Sequence, residues 1–263
     1  MVKYELGCHK DKIDERDWKI GDHLTAGAVS LPPFVDYSSK LTPIRNQGQE
    51  PCCVAFASCA MKEYQEDVVK DEDFIFSPRW IYEQIKQPQG GAYIRDAMKL
   101  LQSTGVPPED CNPYIPQVPT KKCSQATTLA LPNRIKGYAR LSTIDEMKKS
   151  LSENGPFVIA LNVTDGWDNP ARGAVLGSGK VQGGHAILVV GYDDLSKYLK
   201  FKNSWGEEWG DQGYGYISYS DVEKTLMDAW SAVDLPDLEE DKLQVSWWMQ
   251  ILHPILKLLK TEI

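Results

Sequence analysis

Three side chains far apart in the chain have the types needed to attack a carbonyl group: Cys53, His185 and Asn203. Cys53 lies in NQGQEPCCVAFASCAMKEY (46–64), and from there Val54, Ala57, Met61, Tyr64 and Val68 recur at spacings of three and four. That period belongs to a helix burying one face. A helix beginning at Cys52 or Cys53 is therefore expected, with Pro51 at its start, where a missing N–H is not needed. A cysteine on a first helical turn meets exposed N–H groups and the positive end of the dipole, which favour a thiolate over a thiol. A thiolate needs a proton partner. His185, in VQGGHAILVVGYD, is the candidate, followed by Asn203 in KFKNSWGEEWG.

The elements that must position these groups are of two kinds. A second helix is signalled by Ser77 at the cap, Pro78 in the first turn and an apolar face of Trp80, Ile81 and Ile85. Gln89-Gly90-Gly91 interrupts it. A third, Ile94 to Thr104, carries Ala97, Met98 and Leu101 and stops at Gly105. After Pro119 the pattern changes: Thr143 with Glu146 makes the capping box of one short helix. Apolar or β-branched runs then dominate, at Phe157–Val163, Ala186–Tyr192, Tyr198–Lys202 and Tyr214–Tyr219. Separated by Gly- and Asp-rich turns, these read as antiparallel strands. The expectation is an α+β chain of two lobes, mainly helical over 31–118 and β-rich over 119–233, with a cleft between them.

The chain has 263 residues, 42% of them hydrophobic, enough for one large core or two small ones. A formal charge of −8 without any Lys/Arg-rich run argues against a nucleic-acid partner. The first residues, MVKYELGCHKDKIDERDWK, are too charged for a secretory signal peptide, so the protein is either cytoplasmic or secreted with its signal absent from this sequence. The six cysteines do not have the spacing of a zinc site. Cys111 and Cys123 bracket CNPYIPQVPTKKC and form either a disulfide in an oxidising compartment or two reduced, buried thiols. Residues 1–30 read as an extension that either packs on the surface or lies across the cleft as a cover. Residues 234–263 comprise an acidic linker, DLPDLEEDK, and an apolar stretch, LQVSWWMQILHPILKLLK (243–260). That stretch is too short and polar for a membrane span. It is expected to fold back on its own domain or on a second copy, or else to dock on a membrane surface or another protein.

Gln47-Gly48, followed by Cys53 and Ala55-Phe56, resembles the nucleophile segment of the papain-like cysteine peptidases, and His185 and Asn203 fall in that family's window of about 130 to 150 residues downstream. The resemblance runs from about Leu31, where LPPFVDYSS is similar to the family's mature start, to Val233. It is nearest in kind to bacterial and archaeal-type members, which are poor in leader sequence. It implies a papain-like two-lobed fold, with a helical lobe, an antiparallel β-barrel-like lobe and substrate bound across the join. It also implies a cysteine-type endopeptidase that acts on a peptide or protein without metal or organic cofactor.

On that resemblance Cys53 is the nucleophile, His185 the acid and base, Asn203 the group that orients the ring, and Gln47 the side-chain donor to the oxyanion. Gly90 and Gly91 are expected to pair main chain to main chain with substrate. Gly184 and Ala186 flank His185 in the substrate site, with Met227 or Leu226 as the floor of a pocket, and Trp205 with Trp209 shields the His–Asn bond. Three departures stand out. Glu50-Pro51-Cys52 replaces the family's Cys-Gly-Ser, removing a common disulfide. Val54 replaces a Trp. Cys52 is either a spectator in the place of Ser or the partner of Cys53 in a strained adjacent disulfide. The alternative functions are a catalytically silent binding or scaffold protein and acyl transfer to an amine.

Overall fold

A computed structural model of the chain describes residues 4–19, 31–70, 74–168 and 170–234. The apolar stretch 243–260 and residues 20–30 of the N-terminal extension lie outside the described residues. Strands β1 (Cys8–His9) and β2 (Phe34–Asp36) precede a long helix α1 (Cys53–Lys70), then α2 (Pro78–Ile85), β3 (Ala92–Tyr93) and α3 (Ile94–Ser103). The local signals act as anticipated. The Ser77 hydroxyl accepts from the Trp80 N–H ahead of α2, and Gly105 takes φ +82° just past α3.

There follow α4 (Ala126–Ala130), β4 (Ile135–Arg140), α5 (Ile144–Asn154), β5 (Phe157–Thr164), β6 (Val181–Asp193), β7 (Tyr198–Lys202), β8 (Tyr214–Ser218), α6 (Tyr219–Thr225) and β9 (Leu226–Asp234). Helix α5 carries its capping box: the Glu146 N–H donates to Thr143 Oγ1, and the Glu146 carboxylate accepts from the Thr143 N–H. One antiparallel sheet runs β4-β9-β5-β6-β7-β8, with β2 added alongside β6. Five strands were not expected from sequence: the short β1, β2 and β3, and β4 and β9. Tyr219 opens a helix instead of closing a strand.

The sheet is buried on both faces, so its central strands read as unbroken apolar runs. Along β6 the period of two sends Ala186, Leu188 and Val190 into a core shared with α1, α2 and α3. Ile187 and Val189 face the opposite way, into a second core with Leu161, Phe201 and Trp209. On β5 Val158 and Ala160 join the first core, Ile159 and Leu161 the second. The start of α1 is thus pressed against the middle of β6, the placement that any site shared between the lobes requires. Among the described residues no helix is long and apolar enough to cross a membrane.

Candidate active site

Cys53 is the first residue of α1 and fully buried. It shares one core with Cys8 of the N-terminal segment and with Ala186, the residue after His185 on β6, and nearby backbone N–H groups, those of Ala186 and Gly7 first, favour its thiolate. The dipole argument alone predicts a thiolate. Here burial outweighs these donors and pushes the Cys53 pKa up. The groups that desolvate the sulfur include the chain's own N-terminal residues.

His185 pairs across the sheet with Leu161, and its Nε2 lies 2.8 Å from Asn203 Oδ1. Asn203 follows β7 directly; the same Oδ1 accepts the Ser204 N–H at 2.8 Å, which fixes which end of the amide faces the ring. Nε2 of His185 therefore carries the proton, and Nδ1 is left as the acceptor, buried and without a hydrogen-bond partner among the described residues. The Trp205 indole stacks on the imidazole at 4.4 Å and Trp167 meets it edge-on. Burial lowers the His185 pKa to about 4, against the raising effect of Asn203.

Gln47 is held from several sides. Its N–H donates to Ser204 O (2.8 Å), its Oε1 accepts from Ser204 Oγ (2.7 Å), and its Nε2 donates to Glu50 O (2.8 Å) and Glu5 O (3.1 Å). With Oε1 tied to a hydroxyl, the NH₂ must face the cleft, where it meets a peptide carbonyl.

That carbonyl belongs to a segment, Tyr4–His9, that crosses every position expected to bind substrate. Tyr4 stacks on Trp205, with centroids 4.5 Å apart and planes 2° apart. Gly7 O accepts the Ala92 N–H at 2.7 Å, and β1 pairs in parallel with β3. His9 Nε2 donates to Gly90 O at 2.8 Å. A Cβ on Gly91, which has φ +73°, would come within 2.5 Å of Gly7 O. A Cβ on Gly184 would lie 2.2 Å from Cys8 O and 2.7 Å from Met227 Cε. Cys53, His185, Asn203, Gln47, Gly90, Gly91, Gly184, Ala186, Trp205 and Met227 thus all border this one segment or one another. Farther on, the Asp11 N–H donates to Asp228 Oδ2 at 2.6 Å, and Asp11 Oδ2 accepts from Trp230 Nε1 and the Arg95 N–H.

Cys111 and Cys123 are bridged, whereas Cys52 and Cys53 are both free thiols. The adjacent disulfide is thus absent, and Cys52 Sγ instead lies 3.3 Å from the Tyr114 hydroxyl. Sequence reasoning did not single out Ser204, Trp167, Arg79 or Tyr114, and noted Glu50 only as a departure from the family pattern. Only Ser204 carried a signal, its position between Asn203 and Trp205. Among the described residues no group of three His, Cys, Asp or Glu side chains is placed to ligate a metal ion.

A fold with a cysteine-bearing helix set against a sheet that presents a His–Asn pair defines a class, and comparison with known proteins places the chain in it. The family model described as papain family cysteine protease matches residues 31–232; the chain belongs to that family. It is similar to cathepsin K of Mus musculus, 30% identical over 200 residues that cover 72% of this chain and 60% of cathepsin K. It is likewise similar to cysteine proteinase B of Leishmania mexicana, 30% identical over 202 residues, 72% of this chain and 45% of the relative. The chain therefore spans less than two thirds of the length of these relatives. Among solved structures, xylellain, a cysteine protease from Xylella fastidiosa, superposes with a TM-score of 0.78 at 28% identity, covering 89% of this chain and 97% of that one. The segment Tyr4–His9 lies ahead of the family-matched region.

Proposed function

We propose that the chain is a cysteine-type endopeptidase whose N-terminal residues hold it in a covered, inactive state. The observation that carries this reading is that Gln47 Nε2 already donates to a peptide carbonyl in a cleft that also holds Cys53 and His185. In the open enzyme a substrate carbonyl takes the place of Glu5. His185 Nδ1 accepts the Cys53 proton, and the sulfur adds to the carbonyl carbon. Gln47 Nε2 and the Cys53 N–H hold the oxyanion. The imidazolium, kept in plane by Asn203, then protonates the leaving amine, and water hydrolyses the thioester with the same nitrogen as base. Gly90 and Gly91 pair with the residues upstream of the scissile bond, and Gly184, Ala186 and Met227 shape the pocket beside them.

The polarity of the cover accounts for its survival. A substrate passes its upstream residues by Gly91 and its downstream residues beyond Cys53. The segment runs the other way, from Tyr4 on Trp205 to His9 on Gly90. Burial leaves thiol and imidazole both neutral, and on this reading the ion pair forms once the cover is released.

The test is to treat the protein with an epoxide-type thiol inactivator and map the modified cysteine by mass spectrometry. Wild type, Cys53→Ala and a chain beginning at Leu31 would be compared, each also assayed on a peptide library. The expected result is slow labelling of the full chain and fast labelling confined to Cys53, with peptide cleavage, once residues 1–30 are gone. Slow, unselective labelling of both forms would overturn the reading in favour of a binding protein on the same fold.

A further inference from the structure

An oxyanion donor works only if it is aimed before the charge develops. The loop that aims Gln47 turns at Gly48, with φ +60°, and carries Glu50 where the resembling family commonly places a bridged cysteine. Glu50 stabilises the loop by another route. Its carboxylate takes both ends of one guanidinium, Arg79 NH1 to Oε1 at 2.7 Å and NH2 to Oε2 at 2.6 Å. Arg79 is itself fixed in the first turn of α2, donates to Ile115 O and lies over the Tyr114 ring at 4.7 Å. The Tyr114 hydroxyl stands 2.6 Å from Gln47 O, 2.9 Å from Glu50 Oε2 and 3.3 Å from Cys52 Sγ.

These contacts bear directly on the Gln47 amide. Of its two N–H bonds, one is tied to Glu50 O and the other points at the carbonyl in the cleft. Where the Glu50 backbone sits therefore decides where the second N–H points. The hydroxyl of Tyr114 holds the same peptide stretch at Gln47 O, and its oxygen is left to accept from Cys52. That thiol stays protonated because burial pushes its pKa up. A bidentate, largely buried guanidinium–carboxylate pair is geometrically strict, and lysine does not reproduce it.

We propose that Arg79, Glu50 and Tyr114 form a positioning unit that aims Gln47 at the oxyanion. This rests on the reading of Gln47 as oxyanion donor. The unit touches neither substrate nor the reacting atoms and acts through the main chain of residues 47–52.

The test uses the full-length chain and two thiol reagents. A peptide aldehyde forms a hemithioacetal whose oxygen needs the donor, whereas iodoacetamide alkylates Cys53 with no oxyanion. Both require the cover to open, so the ratio of aldehyde affinity to alkylation rate cancels that step. Tyr114→Phe keeps the ring packed on Phe56 and removes only the hydroxyl. It is expected to lower the ratio about five- to tenfold, the loss of one oriented hydrogen bond. Arg79→Ala is expected to lower it further, Arg79→Lys to recover part of it, and Tyr114→Phe to add little once Gln47→Ala is present. If Gln47→Ala lowers the ratio while Tyr114→Phe and Arg79→Ala do not, the positioning unit is refuted and the oxyanion reading stands. A ratio unmoved by Gln47→Ala overturns both. Should Arg79→Ala fail to fold, Tyr114→Phe decides alone.

Discussion

The phenol of Tyr4 lies flat on the indole of Trp205 and donates its hydroxyl to Trp205 O at 3.1 Å, while the other face of the same indole stacks on His185. The cover is thus built onto the wall of the candidate site. A stacked aromatic pair contributes about 0.5–1.5 kcal/mol beyond its buried area. Tyr4→Ala is expected to raise the rate of Cys53 alkylation on the order of tenfold, area loss included, without changing the site itself. An unchanged rate would mean that the segment is held elsewhere.

Farther along the cover, Asp11 is packed against Asp228, Trp230 and Arg95, with Arg140 bonded to Asp228 and both arginines also meeting Asp17. Burial first, and then the Asp228 carboxylate, raise the Asp11 pKa to about 6. Released into water, Asp11 returns to about 3.9. A group whose pKa rises on docking favours the docked state when protonated. Its contribution is complete below about pH 4 and is lost as pH climbs through about 6. The cover is therefore held more tightly in acid and loosens toward neutrality. The alkylation rate of wild type divided by that of Asp11→Asn isolates this effect, because both share the same Cys53, and it should rise between about pH 4 and 6 and level off above. A flat ratio sinks the idea.

Asn203 Oδ1 holds the His185 ring and is itself held by the Ser204 N–H. Asn203→Ala removes a hydrogen bond to a group that becomes charged during the reaction, worth about 1.5–3 kcal/mol. That corresponds to roughly a ten- to hundredfold loss of kcat in the uncovered enzyme, with KM nearly unchanged, because the bond strengthens as the imidazolium forms. A change confined to KM would contradict the assigned role.

The Cys111–Cys123 bond closes the loop that presents Tyr114, Ile115 and Gln117 to Glu50 and Arg79. Replacing both cysteines by serine is expected to cost about 2–4 kcal/mol of stability, read from the urea midpoint. If the loop also supports Gln47, aldehyde affinity should fall in the same variant under conditions where it is fully folded.

How far the sequence could be read depended on where each signal's physics was local. The start of α1 at Cys53, the Ser77 cap and the Thr143–Glu146 box rest on hydrogen bonds within a few residues, so all were legible in order along the chain. The doubly buried β5 and β6 were legible as well, because a strand covered on both faces is mostly apolar and reads as a continuous run. Strand β9 was not. Its Asp228 and Ser231 look like surface, yet they are buried against Asp11, Arg140 and Ser150, partners supplied from far away in the chain. Residues 4–19 were left between a surface arm and a cleft cover for the same reason. They have no period of their own, and Cys8 and Asp11 are buried only because the cleft receives them. The sequence by itself determined which groups were available for chemistry. Only the tertiary structure decided that Glu50 would meet Arg79 and Tyr114 and that Tyr4–His9 would run from Trp205 past Gln47 to Gly90, since both depend on contacts between segments whose spacing along the chain carries no trace of the pairing.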